Sequence, residues 1–296
     1  MAPSTLETDY FINNSDDNGN SSGGYWEPHT SSIDFCESNY LLMDHIVEPH
    51  NVWSSIIGLS LVGIFGILYG NPTKEWRFTI VYVTLIVIGI GSACLHGSLH
   101  WCFQSADELP MIYLVIGAFY AILEVDSPRG RPKYPHLSTY LLLLSVINTA
   151  VYYKFQQYYI IFLATFNALV IGLLYLHVQI ALRLHNENKI GKENINNTIA
   201  LRFYLWHYIA YIGVASPSWI LDQFYCGYLL PLYNKMPFPL QGMTLHVVWH
   251  ICAGYGAHLF IQFIAACRAS TLGMVCDVRH VLGILVGQVP LGWSVM

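Results

Sequence analysis

Apolar runs recur seven times along the chain, near residues 49–70, 76–99, 107–125, 136–154, 158–183, 199–222 and 240–266. Each is long enough for the ~20-residue helix that crosses a bilayer, and within hydrocarbon such a helix satisfies its own backbone groups. The expected fold is an all-α polytopic membrane protein with seven transmembrane helices. Only 10 % of the residues are charged and 54 % are hydrophobic, against roughly 25 % charged in an average soluble domain. The net charge of −5 and the lack of any basic run argue against a nucleic-acid partner.

Lys and Arg fix the expected orientation. With the N-terminus outside the cytosol, 11 of the 13 basic residues fall on one side: Lys74, Arg77, Arg129, Arg131, Lys133, Arg183, Lys189, Lys192, Arg202, Arg268 and Arg279. Lys154 and Lys235 fall on the other. The positive-inside rule then gives a lumenal or extracellular N-terminus and a cytosolic C-terminus. Residues 1–31 are rich in Ser, Asn, Asp and Gly and lack a signal-peptide core, so they are expected to be a disordered lumenal tail. The helical domain is expected over 32–266 and a cytosolic tail over 267–296. Sequons at Asn13 and Asn20 lie on the lumenal side, where glycosylation occurs, whereas the sequon at Asn196 falls in a cytosolic loop. Of the seven cysteines, Cys36 and Cys226 both face the oxidising side, with Cys102 a competing candidate for a bridge.

Polar residues gather at one depth. The stretch "GSACLHGSLHWCFQSADELPMIY" places Ser92 and His96 one turn apart near the lumenal end of the second run. Asp107 is expected to open the third helix on that side. "HVVWH" puts His246 and His250 on one face at the start of the seventh run. Three neutral imidazoles with an open fourth position are the usual catalytic zinc arrangement. No Glu lies between the paired histidines, so a general base would come from Asp107. A single intramembrane His is more often a hydrogen-bonded structural residue, and Ser92 alone reads as a bond to a helix carbonyl. His100 lies nearer the interface and is left out. "SADE" reads as a capping box from Ser105 to Glu108, with Pro110 in the first turn. A second acidic group, Asp34, Glu37, Asn39 and Glu48, precedes the first helix; it suits either a hard cation such as calcium or a capped helix start.

The segments "YWEPHTSSIDFCESNY", "SACLH", "DELPMIY", "LDQFYC" and "HVVWH", in that order, resemble the alkaline ceramidase family. That family lies within the larger group of seven-helix hydrolases related to the progestin and adiponectin receptors. The resemblance runs from Tyr25 to the end of the last helix. It implies zinc on His96, His246 and His250, with Ser92 and Asp107 completing the catalytic site. It implies calcium on Asp34, the Phe35 carbonyl, Glu37, Asn39 and Glu48, although the family usually carries Trp where this chain has Phe35. It also implies a Cys36–Cys226 disulfide, residence in the endoplasmic reticulum or Golgi membrane, and a ceramide-type lipid taken from the bilayer and cleaved to a sphingoid base and a fatty acid. No protein partner is inferable. Alternative readings are a progestin- or adiponectin-type receptor with the same zinc triad, a G-protein-coupled receptor of equal helix count, and a structural membrane protein whose polar residues join helices.

Overall fold

Seven helical segments are present in a computed structural model that describes residues 24–190, 194–238, 240–281 and 284–288. They are α1 (Pro49–Tyr69), α2 (Trp76–Ser98), α3 (Trp101–Leu123), α4 (Leu137–Phe155), α5 (Tyr159–Lys189), α6 and α7 (Leu245–Thr271). The α6 segment is composite: Ile195–His207, a π-helical stretch Tyr208–Ala215, then Ser216–Tyr233 with a kink at Tyr225. Among the described residues α1, α2, α3, α5 and α7 are long and apolar enough to cross a membrane. The chain is a polytopic membrane protein. Its outer faces carry exposed aliphatic side chains such as Ile80, Val87 and Ile90 on α2 and Leu142, Val146 and Ile147 on α4. Hydrocarbon accommodates such a surface, and water does not.

Local sequence explains the helix starts. Pro49 opens α1 where its missing N–H costs nothing. The next two backbone N–H groups, of His50 and Asn51, donate to the Glu37 carboxylate at 2.8 and 2.9 Å. A second π-helical stretch, Ile56–Ser60, interrupts α1. There α1 and α7 meet backbone to backbone: a Cβ on Gly58 would come within 2.7 Å of the His250 carbonyl, and one on Gly254 would collide with the Gly58 carbonyl oxygen. Only glycine permits that approach.

The ends of the bundle are closed differently. At the end that carries the histidines, residues 24–48 dock on α2. Thr30 and Ser31 N–H donate to the Leu99 carbonyl, and Glu48 N–H donates to that of His96. Most of the expected tail, with Asn13 and Asn20, lies outside the described residues, but Gly24–Ser31 belong to this docked segment. At the opposite end Arg268, fully buried, pairs with Glu75 at 2.8 Å. Beyond α7 the strands Asp277–Val281 and Ile284–Gln288 form an antiparallel hairpin, an addition to the expected all-helical fold. Gly287 N–H donates to Gln262 Oε1 at 2.8 Å, which seats the hairpin on α7. The Asn196 side chain is buried here too, bonded to Met274 O and Cys276 N–H.

Candidate active site

His96 on α2 and His246 and His250 on α7 converge, each offering a ring nitrogen within 4.8 Å of the others. All three are buried. The i,i+4 spacing puts the α7 pair on one face, and a third ligand from α2 completes the group. The Nδ1 atoms of His96 and His250 each hydrogen-bond an oxygen. His96 Nδ1 lies 2.5 Å from Glu48 Oε2. His250 Nδ1 lies 2.8 Å from Ser54 Oγ, whose own proton goes to the Asn51 carbonyl. Asp222 accepts the His246 backbone N–H at 3.2 Å and stands 4.0 Å from its Nδ1, which has no hydrogen-bond partner among the described residues.

These partners set the tautomers. When Glu48 is ionised it accepts from His96 Nδ1–H, and the already-donating Ser54 hydroxyl accepts from that of His250; each arrangement leaves a lone pair on Nε2. His96 Nε2 is indeed buried without a hydrogen-bond partner among the described residues. Three clustered imidazoles, two with Nδ1 engaged by a carboxylate or a hydroxyl and the third beside an acid, suit a bound zinc ion. The residues present fit that group.

Ser92 and Asp107 share a cavity with His246 and His250. Ser92 Oγ accepts from Ser55 Oγ at 3.0 Å and lies 3.4 Å from His250 Nε2. Away from the histidines the cavity is walled by apolar side chains of α2, α3, α5 and α7, among them Leu85, Leu114, Phe166 and Phe260. It is a space suited to an alkyl chain.

The start of α3 differs from the expectation. The helix begins at Trp101, so Asp107 sits two turns inside it and Pro110 lies in its interior. Ser105 Oγ donates to Cys102 O, and no capping box forms. The polar residues before Asp107 are helical because they dock on the N-terminal segment: Gln104 bonds Ser32 through both ends of its amide. Gln104 Nε2 also donates to Glu108 Oε1 at 2.8 Å, and Glu108 faces the cavity beside Asp107 rather than capping a helix.

The N-terminal acids fall partly together. Glu37 caps α1 and lies 2.9 Å from His50 Nδ1. Glu48 is fully buried with Oε1 unpartnered among the described residues. Burial pushes the Glu37 carboxyl above its ordinary range, and burial together with the neighbouring Asp34 and Glu37 charges pushes Glu48 well above it. Asn39 is exposed, and the Phe35 ring packs on His96 and His246 at 4.5 and 4.3 Å between centroids. Cys36 and Cys226 form a disulfide, and Cys36 N–H donates to Asp222 Oδ2 at 3.3 Å. Cys102 is free. Asp222, Ser54 and Glu108 were not among the expected site residues; for Asp222 the signal was present, an acid in an otherwise apolar helix.

A family model described as Ceramidase matches residues 27–282. The chain belongs to the ceramidase family. It is 30 % identical to "Alkaline ceramidase 3" of Mus musculus over 272 residues, covering 88 % of this chain and 92 % of that protein. It is 27 % identical to "Alkaline ceramidase" of Arabidopsis thaliana, covering 88 % and 93 % of the two chains. It is 28 % identical to "Alkaline ceramidase YPC1" of Saccharomyces cerevisiae, covering 87 % and 83 %. As a member of the ceramidase family over most of its length, the chain is an amidohydrolase.

Proposed function

We propose that the protein is an intramembrane, zinc-dependent hydrolase that cleaves ceramide to a sphingoid base and a free fatty acid. The observation that carries this is the convergence of His96, His246 and His250, with Glu48 and Ser54 on two of the outer nitrogens and Asp222 on the His246 backbone, at one end of an apolar cavity between helices. His96, His246 and His250 would hold a zinc ion, which would supply a Lewis acid and a water of lowered pKa. Asp107 accepts a proton from the attacking water on a carboxylate oxygen and delivers it to the amide nitrogen as the C–N bond breaks. Ser92 Oγ–H donates to the carbonyl oxygen as negative charge develops there. The apolar cavity holds the alkyl chains, so the amide is presented without leaving the membrane.

All seven helices cross the bilayer in this reading, with the N-terminus and the histidine centre lumenal, as the basic residues require. The catalytic domain, expected over 32–266, takes in the docked segment from Gly24 and runs to the end of α7 at Thr271, in endoplasmic reticulum or Golgi membrane. Asp34, Glu37 and Glu48, with Asn39 and the Phe35 carbonyl, provide a lumenal calcium site, supported by the unpartnered Glu48 oxygen and the crowding of acids around it. The test is lipid mass spectrometry on purified protein given a panel of ceramides and glycerolipids, with and without a zinc chelator. Chelator-sensitive release of fatty acid from ceramides alone is expected. Cleavage of glycerolipids only, or of neither class, overturns the reading.

A further inference from the structure

A second histidine pair lies deeper in the bundle and takes no part in the chemistry above. His177 on α5 and His207 on α6 are both buried, with ring centroids 5.0 Å apart. His207 Nδ1 lies 2.9 Å from the carbonyl oxygen of Gly256 on α7. A carbonyl only accepts, so Nδ1 carries the proton and Nε2 is left with a lone pair. That Nε2 is buried without a partner among the described residues, as are both ring nitrogens of His177. Aromatic rings fill the surroundings: Tyr211 stacks on His207 at 5.7 Å, and Phe260 and Phe263 meet His177 edge-on. None of those rings supplies the missing donor. A buried, bare imidazole acceptor is costly, which marks this place as built for a polar group.

His207 and Tyr211 line the same cavity as Ser92, Asp107, His246 and His250. Gly256 lies six positions beyond His250 on α7, about 9 Å along the axis at 1.5 Å per residue. The π-helical stretch of α6 begins at Tyr208, directly after His207, and its wider turn shapes this wall. The cavity is therefore apolar with a polar spot part-way along it.

We propose that His207, backed by His177, is a subsite for a hydroxyl group carried mid-chain on the lipid. The hydroxyl donates to His207 Nε2. This rests on the ceramide reading, since it assumes that an alkyl chain fills the cavity from the histidine centre inward. A hydroxyl beside the amide would stop at the level of His250, roughly 9 Å short. An unsubstituted chain would leave the acceptor bare, and a site built for a hydroxyl discriminates against the analogue that lacks one. A trapped water would satisfy the same lone pair but would confer no chain selectivity.

The experiment walks a single hydroxyl along the acyl chain of one ceramide series and along the sphingoid chain of another, and measures kcat/KM for each compound. In one series the value should peak at a mid-chain position, at least about tenfold above the unsubstituted lipid. His207→Leu should remove the peak, and His207→Gln, which keeps an acceptor, should retain part of it. Flat profiles in both series, or a peak that survives in His207→Leu, overturn the subsite. Thermal shift with the free hydroxy fatty acids and hydroxylated sphingoid bases reads binding without turnover. Mid-chain hydroxyl compounds should raise Tm more than plain ones in wild type and not in His207→Leu, and equal shifts overturn the subsite. If no ceramide is cleaved, the hydrolase reading fails while these shifts still decide the subsite.

Discussion

The carboxylate of Glu48 meets Nδ1 of His96 at 2.5 Å, with both side chains fully buried. Glu48 precedes α1 and lies beside Asp34 and Glu37, so one carboxylate joins the N-terminal acids to the histidine centre. Glu48→Gln keeps the shape and weakens the acceptor. Zinc affinity, measured by competition with a chelator of known strength, should fall about 10–100-fold, the usual effect of losing an outer partner. Unchanged affinity would show that the contact does not orient the ring.

The three histidines and their neighbours separate by role. His96→Ala, His246→Ala and His250→Ala should each lose bound metal and hydrolysis together, because each removes one of three ligands. Asp107→Asn should retain the metal and lose most turnover, since an amide accepts no proton from water. Ser92→Ala should lose about 2.7–4 kcal/mol of transition-state stabilisation at most, as a single oxyanion donor. Metal content and ceramide cleavage are read on the same samples. A fully active Asp107→Asn would remove Asp107 from the mechanism.

Glu37 and Glu48 give a pH signature. Both carboxyls lie above their ordinary range of about 4.5 in the fold, so the folded state holds their protons more tightly than the unfolded chain does. Stability from this source is present at low pH and declines as pH climbs past about 4.5 toward the folded values. With calcium chelated, Tm should drop over that climb; added calcium should flatten the drop by neutralising the acids. A Tm indifferent to calcium at every pH would return these acids to a capping role.

The Cys36–Cys226 bridge spans 190 residues. Replacing both cysteines by Ser should cost about 2–4 kcal/mol, the usual range for a disulfide. Because Cys36 N–H also bonds Asp222, zinc affinity should fall as well. Denaturant unfolding in detergent beside a zinc titration reads both, and a variant as stable as wild type would sink the expectation.

Orientation is open to a protease. In sealed vesicles an epitope at the N-terminus should be protected and one at the C-terminus digested. Digestion of the N-terminal epitope would reverse the side on which the histidine centre lies.

Much of this architecture was legible in the chain. Helices are local, so seven apolar runs marked seven helices, and the "HVVWH" spacing put two histidines on one face. Hydropathy places the start of α3 too late because it registers only apolar residues. The helix in fact continues back through Gln104 and Ser105, which dock on the segment before α1. The outer partners of the histidines were less legible still. Ser54 and His250 are 196 positions apart, and Glu48 and His96 are 48 apart. No periodicity links residues that only packing brings together. His177 and His207 are no more legible, since a solitary His in an apolar helix carries no spacing signal.

The backbone contact at Gly58 and Gly254 bears on how the centre responds to its ion. Side-chain contacts can slip by a rotamer, but main chain resting on main chain cannot, so the offset between α1 and α7 at the turn bearing His250 is fixed by hard steric limits. Where Ser54 on α1 stands against His250 on α7 is therefore set by folding rather than by a bound ion. In this respect the site is the reverse of a zinc finger, whose chain collapses only around its ion.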